Sequence, residues 1–354
     1  MNPWISLPAL VPFGFTVFNA LAWRPPRAGA RPAGRISALV PARNEARNID
    51  ACLAALVATD VDEIVVLDDA STDETPLRVL AWAARDPRVR LLRGSGPPSG
   101  WLGKPAACEA LLRGSRGDWV LFVDADVRVE PDALRHLGRI AADLVSAVPR
   151  QDVECLAERL VIPLLDLTYM SWLLLPAIRW SRNPAVIAAC GQFVFARRAA
   201  IEALGGFGCV RHEVVDDIAF ARAARRAGLR VDFIDGTGLA RCRMYGSTRE
   251  VIDGFSKNLY PGIGASPLAL GVVLALYTTT LLLPWLALPW VPGAFFGVVA
   301  NLLQRVVLAV RFRHRPLDIL LHPFAILAFI VIALRSAWWS WSGSATWRGR
   351  PVST

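Results

Sequence analysis

The sequence is short of charge, shorter still of acidic charge, and has no paired cysteines. Each shortage excludes something. Charged residues make up 19% of the 354 residues, against about 25% in an ordinary soluble domain. Hydrophobic residues reach 54%, and the mean hydropathy is +0.39. Disorder and a simple water-soluble enzyme are excluded by that balance. The six cysteines (Cys52, Cys108, Cys155, Cys190, Cys209, Cys242) form no CxxC pair and have no histidine at metal-ligand spacing. That excludes a disulfide miniprotein, argues against a zinc site, and fits reduced thiols on the cytosolic side. Thirty acidic residues against 39 basic ones leave a net charge of +9, as expected of a protein that meets nucleic acid, anionic lipid or a phosphorylated substrate. No basic run is interleaved with aromatics, so nucleic acid is not an expected partner. Instead Arg24, Arg27, Arg31 and Arg35 flank one apolar run and Arg311, Arg313 and Arg315 another. That placement suits a lipid bilayer with these segments in the cytosol.

Residues 1–23 carry no charge and are long enough to cross a bilayer core. No basic residue precedes them, which argues against a cleaved signal peptide. A basic linker, 24–35, leads to a domain over 36–260. Inside it, residues 160–189 are apolar but interrupted by Asp166 and Arg179, which reads as a buried or interfacial helix pair lining an acceptor path. At 248–260, Val251, Ile252, Phe255 and Leu259 share one face of an amphipathic helix. The C-terminal region, 261–341, has room for two spans in its uncharged run, with Pro284, Pro289 and Pro292 at the bend. The run 319–334 then either crosses or re-enters the membrane before Arg335 and the belt Trp338, Trp339 and Trp341. A basic tail, 342–354, carries Arg348 and Arg350. The expected location is a multi-pass cytoplasmic membrane protein whose main domain faces the cytosol.

Between residues 35 and 155, short apolar runs at 36–40, 63–67, 89–92 and 119–123 alternate with helical stretches at 46–58 and 104–113. Such alternation predicts a mostly parallel, helix-flanked α/β sheet, with ligands beyond the carboxyl ends of its strands. Three polar clusters fall at those ends. Asp124 and Asp126 follow WVLFV; on an extended chain, positions i and i+2 face the same way, which suits a divalent cation carrying phosphate oxygens or a polar turn. Asp68 and Asp69 end EIVVL, where an Asx turn with Ser71 or Thr72 capping the next helix is the plainer reading. Pro41 to Glu45 end the first strand. Lys104, in GWLGK before a helix, suits a diphosphate as well as it suits an ordinary loop.

Taken in order, PARNE (41–45), VLDDASTDET (66–75), GWLGK (100–104), DAD (124–126), GGF (205–207) and VVDDIAFARAARRAGLRV (214–231) resemble family-2 glycosyltransferases over roughly residues 36–260. The resemblance implies a GT-A nucleotide-diphosphosugar transferase domain and a UDP-sugar as donor. By position, Pro41, Glu45, Asp69, Lys104 and Asp124 would hold the nucleotide. Asp124 and Asp126 would hold Mg2+ or Mn2+. Asp217 would be the general base, in a pair written here Asp216-Asp217 where the family has Glu-Asp, and the Gly191-Gln192 and Gly205-Gly206 turns would shape the acceptor side. The QxxRW signature of processive synthases is absent, which favours transfer of a single sugar. RHEVVDD (211–217), RMYGS (243–247), GFSKN (254–258) and WRGR (347–350) further resemble carotenoid and apocarotenoid glucosyltransferases, such as chlorobactene glucosyltransferases. The expected activity is inverting transfer of a hexose from UDP-glucose to a membrane lipid. A polyisoprenyl-phosphate, hopanoid or glycerolipid acceptor and a non-catalytic nucleotide-sugar-binding subunit are the alternatives.

Overall fold

The computed structural model describes residues 3–344 and the backbone of a short strand pair, Thr346–Trp347 with Arg350–Pro351. Arg348 and the side chain of Arg350, in the expected basic tail, lie outside the described residues. The chain forms two compact units: Arg24–Asp152 with Ala177–Met244, and Met1–Trp23 with Val153–Pro176 and Tyr245–Thr354. The expected 36–260 domain is therefore not continuous, because residues 153–176 and those from Tyr245 onward pack with the helical unit.

The first unit is built on eight strands: β1 (Ile36–Ala42), β2 (Glu63–Asp69), β3 (Val89–Gly94), β4 (Trp119–Val123), β5 (Val127–Val129), β6 (Leu144–Gln151), β7 (Phe193–Arg197) and β8 (Val231–Cys242). Their order is β3-β2-β1-β4-β7-β6-β8-β5. The first four pair in parallel, β7 is antiparallel to both β4 and β6, and β8 is parallel to β6. β2 and β4 are buried along their whole length and β1 nearly so, as unbroken apolar runs require when helices cover both faces. The helices Ile49–Val57, Thr75–Ala83 and Gly103–Gly114 supply that cover. Order reverses between β1 and β4, the place where a doubly wound sheet opens a ligand crevice. Three strands run further than expected: β1 takes in Pro41, β2 ends on Asp68 and Asp69 themselves, and β3 reaches Gly94, because the ladder between β2 and β3 continues to Asp69↔Gly94.

The second unit is helical. Among the described residues, four helices are long and apolar enough to cross a membrane: Trp4–Ala22, Pro267–Ala287, Ala294–Phe312 and Pro316–Ser342. Pro289 and Pro292 lie in the turn between the second and third, but Pro284 does not. It sits inside the helical run at Leu283–Ala287, just after a π-helical turn, Thr278–Leu282, which shifts the ladder where a proline cannot donate. The last helix outruns its apolar stretch because Arg335 is satisfied: it donates to Asp253 Oδ1 at 2.7 Å and Ser256 Oγ at 2.9 Å on the helix Thr248–Gly262, and lies 4.0 Å over the Trp339 ring.

The apolar stretch 160–189 is not one hairpin. It forms helices Leu156–Val161, Pro163–Trp172 and Leu175–Trp180, and its two charges part company. Asp166 meets His314 Nε2 at 2.9 Å in the helical unit, whereas Arg179 donates to Asp232 at 2.8 Å in the sheet unit. The helical unit also keeps its polar groups inside. Gln304 Nε2 donates to Ser171 Oγ at 2.7 Å and Thr16 Oγ1 at 2.9 Å, and Asn19 donates to the carbonyls of Leu173 and Met170. Leu21, Val272, Val310, Phe324 and Val331 lie exposed on the outside.

Candidate active site

The β4 end and the segment entering β7 are drawn together by pairing. Val123 lies opposite Phe193, so Gly191 and Gln192 run beside Asp124, and the Asp124 N–H donates to the Gln192 carbonyl at 3.3 Å. Gly191 in turn binds the first turn of the helix Asp216–Arg226: its N–H donates to Asp217 Oδ2 at 2.7 Å, while the Ile218 N–H donates to Oδ1 at 2.8 Å. A helix N-terminus favours such a carboxylate. On the other side, Lys104 Nζ lies 2.8 Å and 2.9 Å from the two Asp124 carboxylate oxygens and 3.5 Å from the Gly191 carbonyl. Gly191 is required here by proximity. A Cβ on it would stand 3.1 Å from Lys104 Nζ and 3.3 Å from Asp217 Cβ.

These groups surround one cavity, lined by Pro41, Lys104, Asp124, Gly191, Asp216 and Asp217 on its polar side and by Phe122, Phe207 and Phe220 on its apolar side. The rings form a wall, with Phe207 stacked on Phe220 at 4.5 Å and edge-on to Phe122 at 5.1 Å. The wall depends on the Gly205-Gly206 turn, where φ is +77° and +73°. A Cβ at Gly206 would collide with Glu109, whose carboxylate accepts from the Phe207 N–H at 2.8 Å. The Lys104–Asp124 pair is reachable, with side chains 36% and 27% exposed.

Asp126 does not follow Asp124 along an extended strand. The Val127 N–H closes a turn onto the Asp124 carbonyl at 3.0 Å, so strand alternation is not what relates the two carboxylates. Asp126 lies next to the end of β8 instead, since Val127 pairs with Cys242. Burial, then the neighbouring charges of Asp124 and Glu45, push the Asp126 carboxyl up to about 7. Its Oδ1 is buried with no hydrogen-bond partner. An unsatisfied carboxylate oxygen beside a second carboxylate is a donor set that fits a hard divalent cation. No cluster of three or more such side chains poised for an ion occurs among the described residues, so the remaining ligands would have to come from phosphate and water.

Glu45 and Asp69 lie outside the cavity wall. Glu45 is buried and accepts from Asn48 Nδ2 at 2.9 Å. The Asp69 carbonyl accepts from Arg43 at 2.7 Å, one of several links between the β1 and β2 loops: the Asn44 N–H donates to Ser71 Oγ, and the Thr72 N–H to Asn44 Oδ1. Asn44 and Ala70 both hold positive φ, near +54°, a strain that a well-tied loop sustains. The Asx turn at Asp68 is present, with the Ser71 N–H 3.3 Å from Oδ1. Neither Ser71 nor Thr72 caps the next helix, whose N-cap position is Glu74; Asp73, one residue before it, accepts from the Thr75 N–H at 2.9 Å.

Electrostatics divide the site into two roles. Burial would pull the Lys104 ammonium down, but the facing Asp124 and Asp216 carboxylates hold it well above the usual lysine value. Burial pushes Asp217 up, against the opposing pull of Lys104 and its two backbone hydrogen bonds. Sequence reasoning missed the thiols. Cys52, Cys108, Cys190 and Cys242, scattered in sequence, all sense the site carboxylates, and burial holds every one of them neutral, with Cys52 and Cys190 pushed up to about 12. Wide spacing along the chain gave no signal of that convergence.

The fold is the GT-A fold, with a mixed sheet. Residues 37–205, a little under half of the chain, match the family described as Glycosyl transferase family 2. An N-acetylglucosaminyltransferase from Mesorhizobium japonicum is 31% identical over 51% of this chain and 44% of its own length. A glucosyl-3-phosphoglycerate synthase from Mycolicibacterium smegmatis is 32% identical over 33% of this chain and 39% of its own. The chain thus spans less than half the length of these curated relatives. Among solved structures, a mannosyltransferase from Pyrobaculum calidifontis in complex with GDP-Man and Mn2+ has TM-score 0.55 at 21% identity, over 96% of this chain and 99% of that one. That likeness in fold extends beyond the family-matched residues.

Proposed function

We propose that this protein is a membrane-bound, inverting glycosyltransferase that moves one hexose from a nucleotide diphosphate sugar, UDP-glucose in the first instance, to a hydroxyl of a membrane lipid. The observation that carries this reading is the single cavity in which Lys104 and Asp124 face Asp217 across Gly191. Pro41, Glu45 and Asp69 belong to the nucleoside side, where the tied β1 and β2 loops present a fixed edge. Lys104, at the start of the helix Gly103–Gly114, serves the diphosphate, with the helix's positive end behind it. Asp124 and Asp126 would hold Mg2+ or Mn2+, and the complex of the mannosyltransferase with GDP-Man and Mn2+ supports that pairing of donor and ion. Bound there, the ion stabilises the charge that grows on the leaving diphosphate.

Asp217 then takes the proton from the acceptor hydroxyl as that oxygen attacks the anomeric carbon, because an alcohol is a poor nucleophile at neutral pH. One displacement inverts the carbon's configuration. A lipid acceptor is supported by the helical unit, which is apolar outside and polar inside, the reverse of a water-soluble bundle. The motif likeness to carotenoid and apocarotenoid glucosyltransferases makes a hydroxylated or carboxylated isoprenoid the acceptor to offer first.

The test is transfer by the detergent-purified full chain, given UDP- and GDP-sugars, Mg2+ or Mn2+ and a membrane-lipid extract, with lipid products weighed. A lipid gaining one hexose is expected. Asp217→Asn should slow turnover about 10²–10⁴-fold while leaving nucleotide binding intact. It should also remove an acid limb of kcat/KM that lies above the ordinary aspartate range, since the rate falls as the raised Asp217 carboxylate takes a proton. Undiminished turnover by that variant rejects Asp217 as base. Nucleotide binding with no transfer to any lipid rejects the enzyme reading in favour of a sugar-nucleotide-binding subunit.

A further inference from the structure

We infer that Lys104 is an internal stand-in for the divalent cation, and that its ammonium must leave Asp124 before an ion can be held there, so that metal binding releases Lys104 toward the donor diphosphate. This rests on the reading of Asp124 and Asp126 as the metal-holding pair. The geometry is that of a cation on a carboxylate: Nζ approaches both Asp124 oxygens, at 2.8 Å and 2.9 Å, and the Gly191 carbonyl at 3.5 Å. Those oxygens are the ones a metal would need, and an ammonium and a divalent ion cannot share them without strong like-charge repulsion. Asp126 is outside the lysine's grip, with its Oδ1 buried and unbonded. One carboxylate of the pair is therefore already engaged by a cation while the other lacks one.

The residue type supports the same reading. The chain has 39 basic residues, of which only Lys104 and Lys257 are lysines; the rest are arginines. An ammonium is a compact point charge on a flexible stem, whereas a guanidinium is a planar fork. Only the former resembles an ion in size and can swing away when one arrives. Once off Asp124, the freed ammonium stays at the start of its helix, where an incoming diphosphate offers the next negative charge. A lysine that merely braces Asp124 would stay bound whether or not the ion was present. The two roles predict opposite effects of removing it.

The deciding experiment measures Mn2+ binding, without nucleotide, to the detergent-purified full chain and to Lys104→Met, Lys104→Arg and Asp124→Asn, by electron paramagnetic resonance of free Mn2+. The expected result is Mn2+ binding at least about tenfold tighter in Lys104→Met than in the wild-type chain. Lys104→Arg, whose planar fork keeps its charge on Asp124, should bind Mn2+ no tighter than wild type, and Asp124→Asn should lose binding. UDP binding in saturating Mn2+ should weaken in Lys104→Met. Lys104→Gln carries the same test with a milder change, so a folding defect in one variant leaves the other to decide. Unchanged or weaker Mn2+ binding in both variants, with binding lost in Asp124→Asn, overturns the stand-in role and leaves the metal site standing. Absence of Mn2+ binding to wild type and Lys104→Met alike, with or without UDP, overturns the metal reading and the inference with it.

Discussion

Asp217 and Lys104 meet through a residue that has no side chain. Gly191 gives its N–H to one and its carbonyl to the other, so the proposed base and the proposed diphosphate ligand share one backbone support. Around them the buried thiols of Cys52, Cys108 and Cys242, with the partly buried Cys190, act as small neutral fillers, because burial, not a nearby cation, dominates each. Cys209 is the exposed thiol. Brief maleimide treatment of the native protein should therefore label Cys209 well ahead of Cys52, Cys108 and Cys242, with these three reacting only on unfolding. Peptide mapping by mass spectrometry reads this out, and early labelling of Cys108 or Cys242 would show the site to be more open than described.

At the scale of elements, the sheet's entry edge is fixed by a carboxylate that the chemistry does not use. Glu63, at the start of β2, is buried and accepts from Ser37 Oγ at 2.6 Å on β1, from the Arg116 N–H at 3.0 Å before β4, and from Arg90 at 2.5 Å on β3. One side chain thus ties all four parallel strands. Burial opposes its ionisation, but these donors outweigh it and hold its carboxyl below the usual value of 4.5. Because the folded value is depressed, the stabilisation is fully present above pH 4.5 and fades as pH falls through the lower folded value. Glu63→Gln should cost about 1–3 kcal/mol at neutral pH, measured by denaturant unfolding, and the gap to wild type should narrow below pH 4.5. A gap independent of pH would mean that the shape of Glu63, not its charge, is what matters.

At the scale of the whole molecule, the two units obey opposite rules. The sheet unit buries an apolar core that includes Ile36, Leu39, Ile64 and Leu121, and its few buried charges, such as Glu63 and Asp232, are paired. The helical unit exposes Leu268, Val310, Phe324 and Val331 and buries Asn19, Ser171, Asn301 and Gln304. An exposed apolar surface of that extent is stable in lipid and not in water. Washing membranes with alkaline carbonate should leave the protein in the pellet, and mild detergent should release it with donor binding intact. Release by carbonate alone would place the four apolar helices on some partner other than a bilayer.

The chain alone determined what depends on local pattern. The apolar run 119–123 is β4 to the residue, the strands at 36 and 63 begin where expected, and the alternation with helices forecast a parallel, helix-flanked core, because period and turn chemistry are properties of neighbours in sequence. Pro41, Lys104, Asp124 and Asp217 were expected at one site, and the fold brings all four to the wall of one cavity. What tertiary structure decided was everything set by residues far apart. It antiparallels β7 against β4 to bring Gly191 to Asp124, folds DAD into a turn that sends Asp126 toward Cys242, and gathers four distant thiols. It also sends Asp166 and Arg179, thirteen positions apart by number, to different units, and lets Arg335 continue a helix that its charge alone would have ended. A buried charge is tolerated only where a partner is supplied, and which partner arrives is fixed by packing, not by the order of residues along the chain.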